Sequence, residues 1–181
     1  MRSASLVPAT NFRESVLPRR SASDGQYLDP NDPAIYAITD FTREHPITVD
    51  EDRQIDAALE DMIHFGVRAM LVMREQRIVG LITSYDIQGE RPLQFLQTST
   101  YTRHRDIRVG HIMTPWEQLL AIEWESVQAA RAGDLLRVLE DAEMTHLLVI
   151  EAGKTNAAPI VRALVSRARL ARQLQGLRRA G

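Results

Sequence analysis

The chain has 181 residues, 44% hydrophobic and 25% charged, with a formal net charge of −2, the balance of a globular protein able to bury one sizeable core. It contains no cysteine, which excludes disulfides, thiolate metal sites and cysteine nucleophiles together. No apolar stretch approaches the roughly 20 residues needed to cross a bilayer, the start lacks a signal peptide's apolar segment, and the net charge gives no reason to expect nucleic acid. A cytoplasmic protein is therefore expected.

Residues 1–33 are rich in Ser, Pro and Arg and end in Asp29-Pro30-Asn31-Asp32-Pro33, so they read as a mobile tail. The serines and arginines faintly suggest a transit peptide, against which stand Glu14, Asp24, Asp29 and Asp32. Structure should begin near Ile35 and pass through the extended piece Pro46-Ile47-Thr48-Val49. Asp50 and Asp52 are then N-cap candidates for a helix with Ile55, Ala58, Leu59, Met62 and Ile63 on one face, ending near Gly66. Ala69-Met70-Leu71-Val72-Met73 and Ile78-Val79-Gly80-Leu81-Ile82 read as two strands of a tight hairpin. A helix should start at Thr83 or Ser84 and restart or kink at Pro92.

The same order then repeats. Ala58, Leu59 and Met62 fall on Leu135, Leu136 and Leu139, and Met70-Leu71-Val72-Met73 falls on Leu147-Leu148-Val149-Ile150 at the same offset. The second hairpin is longer, with Glu151 to Pro159 in place of the short turn. Residues 34–100 form the first motif. Residues 101–181 hold the linker, the second motif and a basic C-terminal helix. Beyond Glu151 there is no acid, but Lys154, Arg162, Arg167, Arg169, Arg172, Arg178 and Arg179. These suit a solvated basic face, or a dock for the acidic stretch Asp40–Asp61 of a second subunit or for a polyanion. Each copy is too small to bury much apolar area alone, so the duplication defines one compact pair.

The turn Gly80-Leu81-Ile82-Thr83-Ser84-Tyr85-Asp86 has the strongest chemistry. A strand delivering Thr83 to a helix start leaves backbone N–H groups free for an anion. The Thr83 hydroxyl suits a phosphate, the Asp86 carboxylate can accept two ribose hydroxyls, and Gly80 lets another backbone come close. The same Thr-x-x-Asp spacing also makes a helix capping box that binds nothing. The five histidines are scattered, and no nucleophile, acid–base pair or metal set is legible, so neither catalysis nor a metal is expected. Trp116 and Trp124 suit core or dimer packing, and Arg103-His104-Arg105 suits a solvated cluster.

The two hairpins, the run Val109-Gly110-His111-Ile112-Met113-Thr114-Pro115 and the ending from Val165 to Leu174 resemble a cystathionine-β-synthase (CBS) domain pair of the stand-alone bacterial type, over about residues 35–175. The resemblance implies an α+β fold of two βαββα motifs in tandem, related by a pseudo-twofold axis with two clefts between them, and a homodimer. It implies an adenosine-containing ligand such as AMP, ADP, ATP or S-adenosylmethionine. It places phosphate-binding side chains at the start of the central strands, at Arg68 and His146, and adenine near His45, Pro46, Ile47 and Thr48. The second copy departs from the pattern: Ala163 replaces the glycine, Ser166 the threonine and Arg169 the aspartate. A cation cannot accept ribose hydroxyls, so the second cleft is expected to be empty or to serve a phosphate. Two classes stay open, a regulator sensing an adenosine ligand and an interaction module that dimerises without one.

Overall fold

The structure is a computed structural model and describes residues 27–153 and 158–175. The chain forms β1 (Thr39–Asp40), β2 (Thr48–Asp50), α1 (Ile55–Phe65), β3 (Ala69–Arg74), β4 (Arg77–Thr83), α2 (Ser84–Gln88), α3 (Arg91–Thr98) and α4 (Val109–Ile112). There follow β5 (Thr114–Pro115), β6 (Leu120–Glu123), α5 (Trp124–Ala129), α6 (Ala132–Asp141), β7 (His146–Glu151), β8 (Ile160–Ser166) and α7 (Arg167–Gln175). The strands make two four-stranded sheets, in the orders β2-β3-β4-β5 and β1-β8-β7-β6. Within each, a parallel pair is followed by an antiparallel hairpin, as the repeat requires.

Local chemistry accounts for most boundaries. α1 stops at Gly66, whose φ of 67° closes the helix in the left-handed region that glycine adopts without strain. Its start differs from the expected caps. Asp50 ends β2 and its carboxylate accepts from Asp52 N at 2.8 Å, while Gln54 takes the cap by accepting from Ala57 N at 2.9 Å. Pro92 sits in the first turn of α3, where its missing N–H costs no hydrogen bond. The strand β6 and helix α5 carry no strong periodicity, and the sequence reading has no place for them.

Three clusters hold the molecule together. Ile55, Ala58, Met62, Met70, Val72 and Ile82 fill the space between sheet and helices in the first half, and Leu135, Leu139, Leu147, Val149, Val165 and Leu170 do so in the second. Leu71, Leu81 and Leu148 form a third cluster that joins the two sheets. Alternation along β3 explains the division: Met70 and Val72 face the helices, Leu71 the other sheet.

The halves also exchange segments. β1 pairs with β8 of the second sheet, and β5 pairs with β4 of the first. Residues 1–26 of the expected tail lie outside the described residues, but 28–33 are docked on the second half. Leu28, 3% exposed, enters the second core, its N–H donates to Gln173 O at 3.0 Å, and Ala132 N and Gly133 N donate to Asp32 O and Pro30 O. Burying Leu28 fully is worth roughly 1.5–3 kcal/mol, and the backbone bonds fix the segment's register. Ile107, Val109 and Ile112 of the linker enter the first core in the same way. Pro33 bridges Arg131 as Arg108 bridges Gln54, so residues 28–40 are the second half's counterpart of the linker stretch before β5. The repeat along the chain therefore begins before residue 34, while in space 34–40 belong with the second motif.

Candidate functional site

At the end of β4, Thr83 is 5% exposed and has the extended backbone of an N-cap, with φ −120° and ψ 160°. Its N–H and hydroxyl both donate to Asp86 Oδ2, at 2.8 and 2.7 Å, and its hydroxyl oxygen accepts from Asp86 N at 3.2 Å. This is the full capping box. The other carboxylate oxygen, Oδ1, lies 3.1 Å from Arg91 Nη1. That guanidinium nitrogen also donates to Ile112 O at 2.7 Å and Thr114 Oγ1 at 3.1 Å. Both Asp86 oxygens are thus engaged within the protein, one by the cap and one by a cation from α3.

Gly80 is buried between Val72 of β3 and Pro115 of β5. A Cβ there would lie 2.6 Å from Thr114 O and 2.7 Å from Met113 Sδ. The close backbone approach expected at this glycine is made by the linker strand.

His146 opens β7 opposite Ser166, with Nδ1 3.0 Å from Thr145 Oγ1. Burial pushes its pKa down to about 4 from the ordinary 6.5, opposed by the Asp86 carboxylate. His146 of the second half therefore lies within Coulombic reach of Asp86 of the first, and at neutral pH it is an uncharged hydrogen-bonding group. Arg68 is differently placed. Ser84 N donates to Arg68 O as Arg167 N donates to Thr145 O, and Ala69 pairs with Thr83 as His146 pairs with Ser166. The counterpart of Arg68 is thus Thr145, one residue before His146. One residue of register reverses the face of a strand. His146 shares the inter-sheet face with Leu148, while Arg68 is exposed in a cleft of about 510 Å³ between α1 and α2, beside Ile63, Ser84 and Tyr85. Ile47 is half-buried against the first core and its carbonyl accepts from Leu71 N, and Thr48 is exposed on β2. Thr83 and Asp86 are brought together, then, with His146 within Coulombic reach of Asp86, and Arg68 lies on the helix side.

In the second half Arg169 Nη1 donates to Thr39 Oγ1 at 2.6 Å. Thr39 faces Leu164 on β8 as Thr114 faces Leu81 on β4, so in both halves a guanidinium holds the threonine of the crossing strand. Arg162 joins Asp40 and Glu151, at 3.1 and 2.6 Å, and stacks 4.5 Å over Trp124. Sequence reading missed Arg91, Thr114 and Thr39. Their signal is the faint match of Ala34-Ile35-Tyr36-Ala37-Ile38-Thr39 to Val109-Gly110-His111-Ile112-Met113-Thr114, which occurs at a shorter offset than the rest of the repeat. Among the described residues there is no cluster of three His, Asp or Glu able to hold a metal, and no helix long and apolar enough to cross a membrane.

The neutral His146 has a pH consequence. Between about pH 4 and 6.5 the unfolded chain binds a proton that the folded protein refuses. Stability is fully present above pH 6.5 and is lost as the pH falls through that window, by up to about 1.4 kcal/mol per pH unit. Urea unfolding followed across the window should show this slope in the wild type and a shallower one in His146→Gln. An equal slope in the two proteins would assign it to other groups.

Residues 38–91 match the family model of the CBS domain. Among curated proteins no sequence matches the chain. Solved structures of similar fold include CBSX2, a CBS-pair protein from Arabidopsis thaliana, in complex with AMP, at TM-score 0.52 and 22% identity over 81% of this chain and 98% of that one. An uncharacterised conserved protein from Pyrococcus horikoshii aligns at TM-score 0.55 and 21% identity, over 80% and 92%. The CBS domain of a bacterial CNNM/CorC family Mg2+ transporter, in complex with ATP, aligns at TM-score 0.53 and 15% identity, over 81% and 89%. At such identities the likeness is one of fold. It covers 80–81% of this chain, well past the matched residues. Residues 38–91 thus match the CBS-domain model, and over about four fifths of its length the chain has the fold of a CBS pair.

Proposed function

We propose that this protein is a non-catalytic, cytoplasmic regulatory module that senses an adenosine-containing ligand, AMP, ADP, ATP or S-adenosylmethionine, in the cleft beside Thr83 and Asp86, and signals by rearranging a dimer or a partner. The observation that carries the reading is the Thr83–Asp86 pair at a strand-to-helix turn, with His146 of the other half within Coulombic reach of Asp86. In this reading Asp86 accepts the ribose hydroxyls, Thr83 meets a phosphate, and Ile47 and Thr48 flank the adenine. His146 donates a hydrogen bond as a neutral imidazole, Gly80 acts indirectly by letting β5 close on β4, and Arg68, in the α1–α2 cleft on the helix side, takes no part. The AMP of CBSX2 and the ATP of the transporter's CBS domain support the ligand class.

One observation favours the second reading, a dimerising interaction module without a ligand: both Asp86 oxygens already have partners inside the protein. Melting in the presence of AMP, ADP, ATP and S-adenosylmethionine separates the two. A ligand at about a hundred times its Kd adds about 2.7 kcal/mol of stability, so a sensor should melt several degrees higher. A flat response to all four at millimolar concentration decides for the interaction module.

The dimer is proposed to form through the outer face of α1 and α2. Ile63 and Tyr85 are 74% and 64% exposed there, and α1 carries Asp56, Glu60 and Asp61, while α7 carries Arg167, Arg169 and Arg172 and no acid. A second copy packed with its α7 against α1 covers the apolar side chains and matches the charges. Sedimentation equilibrium should give a dimer that Ile63→Glu converts to monomer. A wild type that stays monomeric at about 100 times its working concentration would overturn the arrangement.

A further inference from the structure

The ion pair at Asp86 joins two features that a helix cap alone does not need. Arg91 Nη1 contacts Asp86 Oδ1 at 3.1 Å, and the same nitrogen holds Ile112 O at 2.7 Å and Thr114 Oγ1 at 3.1 Å. The Asp86 side chain is 14% exposed and that of Arg91 42%, so the carboxylate is sheltered and the guanidinium can leave towards solvent. Thr114 belongs to β5, which pairs with β4 through only Gly80 and Leu81. The second half carries the same guanidinium-to-threonine contact, Arg169 to Thr39. There the cation stands at the aspartate's own position, and among the described residues it holds no carboxylate.

We propose that Arg91 is a latch: it competes with a ligand's ribose for Asp86 Oδ1, and through Ile112 and Thr114 it ties the occupancy of that carboxylate to the linker between the two CBS motifs. The inference rests on the regulatory reading above and supplies its missing step, the route from an occupied site to a change in the rest of the fold. A ribose whose two hydroxyls claim Asp86 displaces the guanidinium. Arg91 then leaves Ile112 and Thr114, and the short strand β5 loses a tether while its two-residue pairing to β4 remains. Arg91 is accordingly a positioning residue and the ligand class is a nucleoside with a free ribose diol.

The test is calorimetric titration of adenosine and AMP into the full chain and into Arg91→Ala and Thr114→Val, with amide exchange of residues 112–114 as a second readout. Adenosine has no phosphate, so loss of a cation cannot weaken its binding directly. Arg91→Ala is expected to bind adenosine about tenfold tighter, the scale of one hydrogen bond to a charged group. Thr114→Val, which leaves the charge in place and removes only an anchor, should tighten it by a smaller factor. In the wild type AMP should accelerate exchange at 112–114, and in Arg91→Ala exchange there should be fast with or without AMP. If the wild type binds AMP but Arg91→Ala binds adenosine no more tightly than it does, the latch is overturned and the regulatory reading stands. AMP that binds without changing exchange at 112–114 overturns the coupling. If neither compound binds any of the three proteins, the latch falls, and the regulatory reading falls with it when ADP, ATP and S-adenosylmethionine also leave the melt unchanged.

Discussion

Gly80→Ala is expected to lower the unfolding free energy by about 1–3 kcal/mol, the usual cost of forcing a methyl group into a packed interior. The added Cβ would stand 2.6 Å from Thr114 O and 2.7 Å from Met113 Sδ. The methionine is flexible and can move, but the carbonyl is backbone and belongs to β5. Relief therefore requires β5 to swing away from β4. Since β5 has only two residues and two paired positions, it has little to hold it once displaced. The linker residues Val109 and Ile112, buried in the first core, should loosen with it. Chemical denaturation gives the stability change, and amide exchange localises it. An unchanged denaturation midpoint would mean that β5 is not held where Gly80 permits it to lie.

Asp86→Ala is expected to remove any melting shift produced by an adenosine ligand and, independently, to destabilise the free protein by about 1–3 kcal/mol. The stability loss arises because Thr83 is buried and its N–H loses its acceptor at 2.8 Å. The Arg91 pair adds little, because its guanidinium is half exposed. The two effects can be separated. Asp86→Asn keeps a carbonyl oxygen for the Thr83 N–H and so restores most of the cap, but it replaces one acceptor with a donor and should still fail to take a ribose diol. Melting curves of both variants with and without AMP measure this. A ligand shift of wild-type size in Asp86→Asn would remove Asp86 from the binding role and leave it the cap alone.

These expectations rest on features of unequal legibility. The capping box follows from the spacing of Thr83 and Asp86, because a helix start is a local problem solved within four residues. The end of α1 at Gly66, the hairpin of β3 and β4 and the repeat of both in α6, β7 and β8 were legible for the same reason: apolar periodicity and turn residues report short-range structure. Arg68 and His146 show where that ends. Taken as counterparts in sequence, they lie one register position apart, and because strand side chains alternate, that single residue puts one in the α1–α2 cleft and the other on the inter-sheet face near Asp86. Local pattern cannot set register between strands separated by a whole motif. The segment 28–40 is a second case. Its Pro- and Asp-rich stretch reads as tail, and it became ordered only because the second half offers Leu28 a core and the segment's carbonyls the free N–H groups at the start of α6.

By itself the sequence determined the duplication, the hairpins and helices of each copy, and the asymmetry between Asp86 and Arg169, since each is written in neighbouring residues. Tertiary structure alone decided which half each crossing strand joins, that His146 is neutral, and that Arg91 engages Asp86. All three depend on groups distant in the chain sharing one small volume, where burial and Coulomb energy are set by what packs alongside.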